Sequence, residues 1–342
     1  MASFLDLPRE IRDDILHRAL LLSENPIPTE RDKETNRIPI IDINVCCWKL
    51  KDRVLYELRI SQPTATALML ANRQLRKETQ DALKRLPDQG RRCKVDIMFL
   101  EERELWVTFT HAALCCTTLD QVDVTIRLVG TMRGFGAGFS PEETIWAGGD
   151  RGSLAVTFPF YSALERFLKA GPVGSPATAE RNDIDRHMVV KHLVLNFVSP
   201  ADRSLLAGPD ERMRWRHARK LGGAALTPAI ARAVLAAERG GRLVRPEWLA
   251  RYLAGYLRLM IDSTPATVMP HGGLLYERVG AVSVQVDGET IDKIDLGATI
   301  DGLRCRYFAR LPDYEEVKGR FGEWHESTLA KRRASGLWGG SR

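Results

Sequence analysis

Two hydrophobic periods divide this chain, and the change between them falls near Gly90. Before it, apolar residues recur at helical spacing. After it they alternate with polar neighbours: Val95, Ile97 and Phe99, then Leu105, Val107 and Phe109, then Val122, Val124, Ile126 and Leu128. A period near 3.6 lines one face of a helix, and a period of 2 lines one face of a strand. The pattern predicts an α+β chain, with a helical N-terminal region packed with a mixed β-sheet region and covering helices.

The first helix is the best marked. Asp6 can cap it, Pro8 suits its first turn, and Glu10 places a negative charge near its N-terminus. Leu7, Ile11, Ile15, Leu16, Ala19 and Leu20 form one apolar stripe, with Arg9, Arg12, Asp13, Asp14 and Arg18 expected on the solvent side. Residues 38–60 read less clearly: IPIIDINV and VLYELRI fit two short strands, or a strand and a helix. A second helix is expected after Pro63, with Leu68, Ala71, Leu75, Ala82 and Leu86 inward and Pro87 and Gly90 ending it.

Beyond the alternating segments, Phe160, Ala163, Leu164, Phe167 and Leu168 repeat at helical spacing up to a Gly171-Pro172 stop. VVKHLVLNFV reads as a strand covered on both faces. Helices are expected from Thr227-Pro228 to Gly240 and again from Pro246, and Asp287-Gly288 marks a two-residue hairpin turn. The expected organisation is a helical region over 1–90 with an inserted segment at 24–62, a mixed α/β sheet domain over 91–315, and a charged, loosely ordered tail over 316–342.

Function classes narrow by elimination. No apolar run is long enough to span a membrane, and the opening residues carry acids and no signal-peptide core, so an intracellular protein, cytoplasmic or nuclear, is expected. The net charge of +6 is a mild bias, carried by 38 Arg against 12 Lys. Six cysteines form no C-x-x-C spacing and point to reduced thiols. The seven histidines are scattered, no GxSxG elbow exists, and Gly134-Phe135-Gly136-Ala137-Gly138 matches no phosphate-loop spacing. No catalytic residue, metal site or cofactor is expected. Arg212, Arg214, Arg216, Arg219 and Lys220, with Trp215 and His217 among them, form the densest basic run. It fits either a weak nucleic-acid patch or an exposed helix with an inward tryptophan. Lys331-Arg332-Arg333 fits a short import patch, and Arg332-Arg333-Ala334-Ser335 a basophilic kinase site.

FLDLPREIRDDILHRALL (residues 4–21) resembles the opening helix of an F-box. ALMLANRQLRKETQDALKRL (67–86) is similar to the helix that follows in fungal, ascomycete F-box-like domain-containing proteins. The resemblance implies a non-enzymatic interaction module. Its first helix would dock the Skp-type adaptor of a cullin ubiquitin ligase through Leu7, Pro8, Ile11, Ile15 and Leu16, and its sheet region would present an unknown protein target. The alternative is an orphan interaction protein whose first helix packs into its own core.

Overall fold

The structure is a computed structural model that describes residues 4–21, 37–41, 43, 53–57, 64–85, 91–100, 104–111, 117–130, 157–172, 185–209, 243–262, 265, 268–303 and 314–337. The helix expected at 227–240, the glycine-rich loop and the 212–220 basic run lie outside these residues. The chain has an α+β fold built on one eight-stranded mixed sheet.

The strands are β1 (Arg37–Pro39), β2 (Val54–Glu57), β3 (Arg92–Leu100), β4 (Glu104–His111), β5 (Thr118–Val129), β6 (Val189–Val198), β7 (Val279–Val286) and β8 (Glu289–Asp295). Their order across the sheet is β1-β2-β4-β3-β5-β6-β7-β8. β3, β5, β6 and β7 run parallel, and antiparallel partners flank them at β4 and β8. The alternation places Val95, Ile97, Val122, Val124, Ile126 and Leu193 in the main core. The other face carries a separate cluster of Met98, Leu100 and Trp106, and a bidentate pair in which Arg127 donates to Asp96 at 2.7 and 2.6 Å. VVKHLVLNFV is buried on both faces, Leu193 and Phe197 on one and Val190 and Val194 on the other, with Lys191 exposed near its start.

The α-helices among the described residues are α1 (Arg9–Leu21), α2 (Thr64–Ala71), α3 (Arg73–Arg85), α4 (Thr157–Ala170), α5 (Pro246–Ile261), α6 (Gly273–Arg278), α7 (Leu296–Gly302) and α8 (Tyr314–Ala334). α4 packs chiefly on β2 and β4, and α5 on β6, β7 and β8. Asp287 and Gly288 both take positive φ, +50° and +85°, as a type I′ turn requires. The Asp287 carboxylate accepts from the Ser199 N–H and hydroxyl, each at 2.7 Å, tying the hairpin to the end of β6.

Three expectations change. The inserted segment does not stay with the N-terminal helices. β2 lies parallel to β4, and Ile40, Ile43, Val54 and Tyr56 join the main core, because β-branched and aromatic residues complete the sheet's edge. The single helix expected over 64–86 is two, split at Asn72, whose side chain accepts from the Leu75 N–H at 2.8 Å and so caps the second piece. Most of the tail expected to be loose, up to Ala334, belongs to α8, a helix 21 residues long. Its Phe321 and Trp324 rings sit 5.5 Å apart, Trp324 meets Tyr276 edge-on at 6.0 Å, and Arg332 is fully buried, donating to the Tyr276 and Val279 carbonyls. Its inward line reads as polar only because it includes Thr328 and Arg332. The same burial withdraws Arg332 from both the import patch and the kinase motif.

Candidate docking face on the N-terminal helix

Phe4–Asp6 form a 3-10 turn, Pro8 follows, and the Arg12 N–H closes the first turn of α1 onto the Pro8 carbonyl at 3.1 Å. The helix packs on α2 and α3 around a small core of Leu16, Leu20 and Ala82, with Phe4, Leu68, Leu75 and Leu83 at its margin. This cluster is separate from the main core beneath the sheet.

The expected stripe splits in two. Leu16 is 1% exposed and faces α3, so it is no part of an outward face and its assignment to adaptor docking is corrected. Ile11 and Ile15 are 50% and 40% exposed, stacked one turn apart on the outer side of the helix. Leu7 is half-buried and Pro8 exposed. The inward line is Arg12, Leu16 and Leu20, one residue around the helix from the apolar line that periodicity favours.

Arg12, expected in solvent, explains the rotation. Its Nε and one terminal nitrogen donate to the Glu78 carboxylate at 3.0 and 2.7 Å. The other terminal nitrogen donates to the Leu5 carbonyl at 3.1 Å and also to the Leu7 carbonyl. Glu78, on α3 and only 2% exposed, accepts in addition from Gln74 at 3.0 Å. A planar guanidinium meets a carboxylate through two parallel bonds, which fixes orientation as well as distance. Around this pair, Arg9 bonds Asp13 at 3.0 Å, and Arg85 of α3 reaches back to Asp13 at 2.9 Å. The hydrogen bond from Arg12, opposed by burial, holds the Glu78 carboxyl below its ordinary range, and the bond from Arg85 does the same for Asp13. The Glu78 hydrogen bond in turn raises Arg12.

The two segments that carry the family resemblance are therefore joined by one buried ion pair, Arg12 to Glu78. Spacing alone missed it, since an arginine and a glutamate on helices otherwise read as solvated charges. Arg9 and Asp13 of α1 add ion pairs to Asp81 and Arg85 of α3, while Ile11 and Ile15 make no part of the small core. Among the described residues no group of histidines, cysteines and carboxylates could hold a metal ion, and no helix is long and apolar enough to cross a membrane. Comparison with protein-family models, curated proteins and solved structures finds no match to the chain.

Proposed function

We propose that the chain is a non-enzymatic protein-interaction module of the F-box-like kind, serving as a substrate receptor of a Skp–cullin–F-box ubiquitin ligase. α1 docks the Skp-type adaptor through Ile11 and Ile15, flanked by Leu7 and Pro8, and the sheet region holds the protein target. The observation that carries this reading is the exposure of two isoleucines one turn apart, on a helix whose adjacent face is already fixed by Arg12 and Leu16. An apolar pair on a rigid support is what an anchor at the centre of an interface needs, because little ordering entropy is lost on docking. Two isoleucines supply only part of the roughly 800 Å2 per partner of a standard interface, so neighbouring surface must contribute.

Co-purification with Skp tests the reading, comparing the wild-type chain with an Ile11→Asp/Ile15→Asp double variant. Both positions are exposed, so the variant keeps its fold and should lose the adaptor. Equal recovery from both would overturn the proposal. It would favour the second reading, in which α1 serves only its own small core; Leu16 at 1% exposure is the observation on that side.

A further inference from the structure

Between the sheet and two of its covering helices lies a recess, open on one side, with about 70 Å3 of space behind its mouth. Its floor is Val95 and Ile97 of β3 with Val122, Val124 and Ile126 of β5. One wall is Phe160, Ala163, Leu164 and Phe167 of α4, at i, i+3, i+4 and i+7; the other is Leu253, Tyr256 and Leu257 of α5.

The sheet order explains why the space exists. α4 rides on β2 and β4, while α5 rides on β6, β7 and β8, so the central strands β3 and β5 lie beneath the interval between them. Strands are spaced about 4.8 Å apart and packed helices about 10 Å, so two helices centred that far apart across the sheet cannot close over its middle. Among the ring contacts, Phe158 of α4 meets Tyr256 of α5 edge-on at 6.5 Å, bringing the helices together there. Nearly every side chain that faces the space is apolar. The Tyr56 hydroxyl donates to the Ala163 carbonyl at 3.4 Å, and the Tyr161 hydroxyl to the His271 carbonyl.

We infer that this recess is a binding site for an uncharged hydrocarbon group, an aromatic ring system or aliphatic chain, supplied by a small molecule. Interiors pack to the density of organic crystals, and an opening of this kind in a core is uncommon. Water gains little there, because it needs two to four polar partners and these walls give it almost none. A charged or strongly polar ligand would lose its hydration with nothing to replace it. An apolar one leaves water and gains dispersion contacts with aromatic and aliphatic walls already in place. The site is independent of α1, whose small core is separate from this one.

The full chain titrated with N-phenyl-1-naphthylamine, an uncharged apolar fluorophore, provides the test. Saturable one-to-one fluorescence enhancement is expected, with a rise in the thermal midpoint at saturating probe. Ala163→Phe and Val124→Phe fill the recess from the helix side and from the sheet side. Each should weaken binding at least tenfold while the far-ultraviolet circular dichroism stays unchanged. Leu259→Ser, at an exposed apolar residue of α5 outside the recess, should bind as the wild type does. Absence of saturable binding by the wild-type chain overturns the inference whatever the variants do, and so does equal binding by folded Ala163→Phe and Val124→Phe chains.

Discussion

Ile15 and Leu16 are adjacent, similar in size and opposite in fate, so they measure what position on α1 is worth. Leu16 lies among Leu20 and Ala82 at 1% exposure, whereas Ile15 is 40% exposed. Leu16→Ala removes packed methyl groups and leaves a cavity, and should destabilise the helical unit by about 3 kcal/mol. Ile15→Ala should stay within about 0.5 kcal/mol, as surface substitutions do. Amide exchange along α1 reads both. Glu78 makes a second residue-scale prediction, through acid. Its carboxyl is held below the ordinary range when folded, chiefly by the Arg12 hydrogen bond, so the unfolded chain binds the proton more readily. The resulting stability is fully present above the ordinary glutamate value of about 4.3 and is lost as pH falls through the lower folded value. Protection of α1 should therefore decline in that acidic window. Glu78→Gln, which keeps the shape but cannot titrate, should start less protected at neutral pH and show a flatter acid response.

Segments long enough to show a period were legible in the sequence; short ones, and those whose inward line carries polar residues, were not. β3, β5 and α4 repeat their apolar residues over nine, twelve and fourteen positions, and the Asp287-Gly288 turn announces itself by residue type. β1 and β2 have three and four residues, too few to show alternation, and their place is decided by pairing with strands far along the chain. α8 hides its inward line behind Thr328 and Arg332, whereas α3 was legible through Leu75 and Ala82, although Glu78 and Thr79 are buried beside them. The candidate site followed the same rule: the helix and its isoleucines were readable, whereas the partner of Arg12 lay 66 residues away. Two substitutions test these element-scale contacts. Arg332→Met strips the Tyr276 and Val279 carbonyls of a buried donor and should cost about 1–3 kcal/mol, lowering the denaturant midpoint. Gly280→Ala should cost more than a surface change, because its Cβ would fall 2.3 Å from the Lys191 carbonyl oxygen where β7 runs beside β6. A thermal midpoint unchanged in the alanine variant would mean that the two strands part more easily than this contact implies.

At the scale of the whole molecule, the chain holds a large core under the sheet and a much smaller one among α1, α2 and α3. Among the described residues this small core has three buried side chains, Leu16, Leu20 and Ala82, with Phe4, Leu68, Leu75 and Leu83 partly buried around them, and the Arg12–Glu78 pair and its flanking ion pairs add specificity. A unit with few buried apolar contacts opens locally before the rest unfolds. Native-state hydrogen exchange should find α1 and α3 opening well below the global unfolding free energy, and β3, β5 and β6 opening only with it. A partner bound to α1 adds stability only to the state in which that helix is formed. At a free concentration about 100 times its dissociation constant, it should raise the opening free energy of α1–α3 by about 2.7 kcal/mol. The protected strands should stay where they were. An apolar ligand in the recess should do the reverse, slowing exchange in β3 and β5 while α1 opens as before. Exchange measured with Skp, and then with N-phenyl-1-naphthylamine, therefore separates the two sites in one molecule. Protection that rose across both cores with either partner would mean that the two cores open as one.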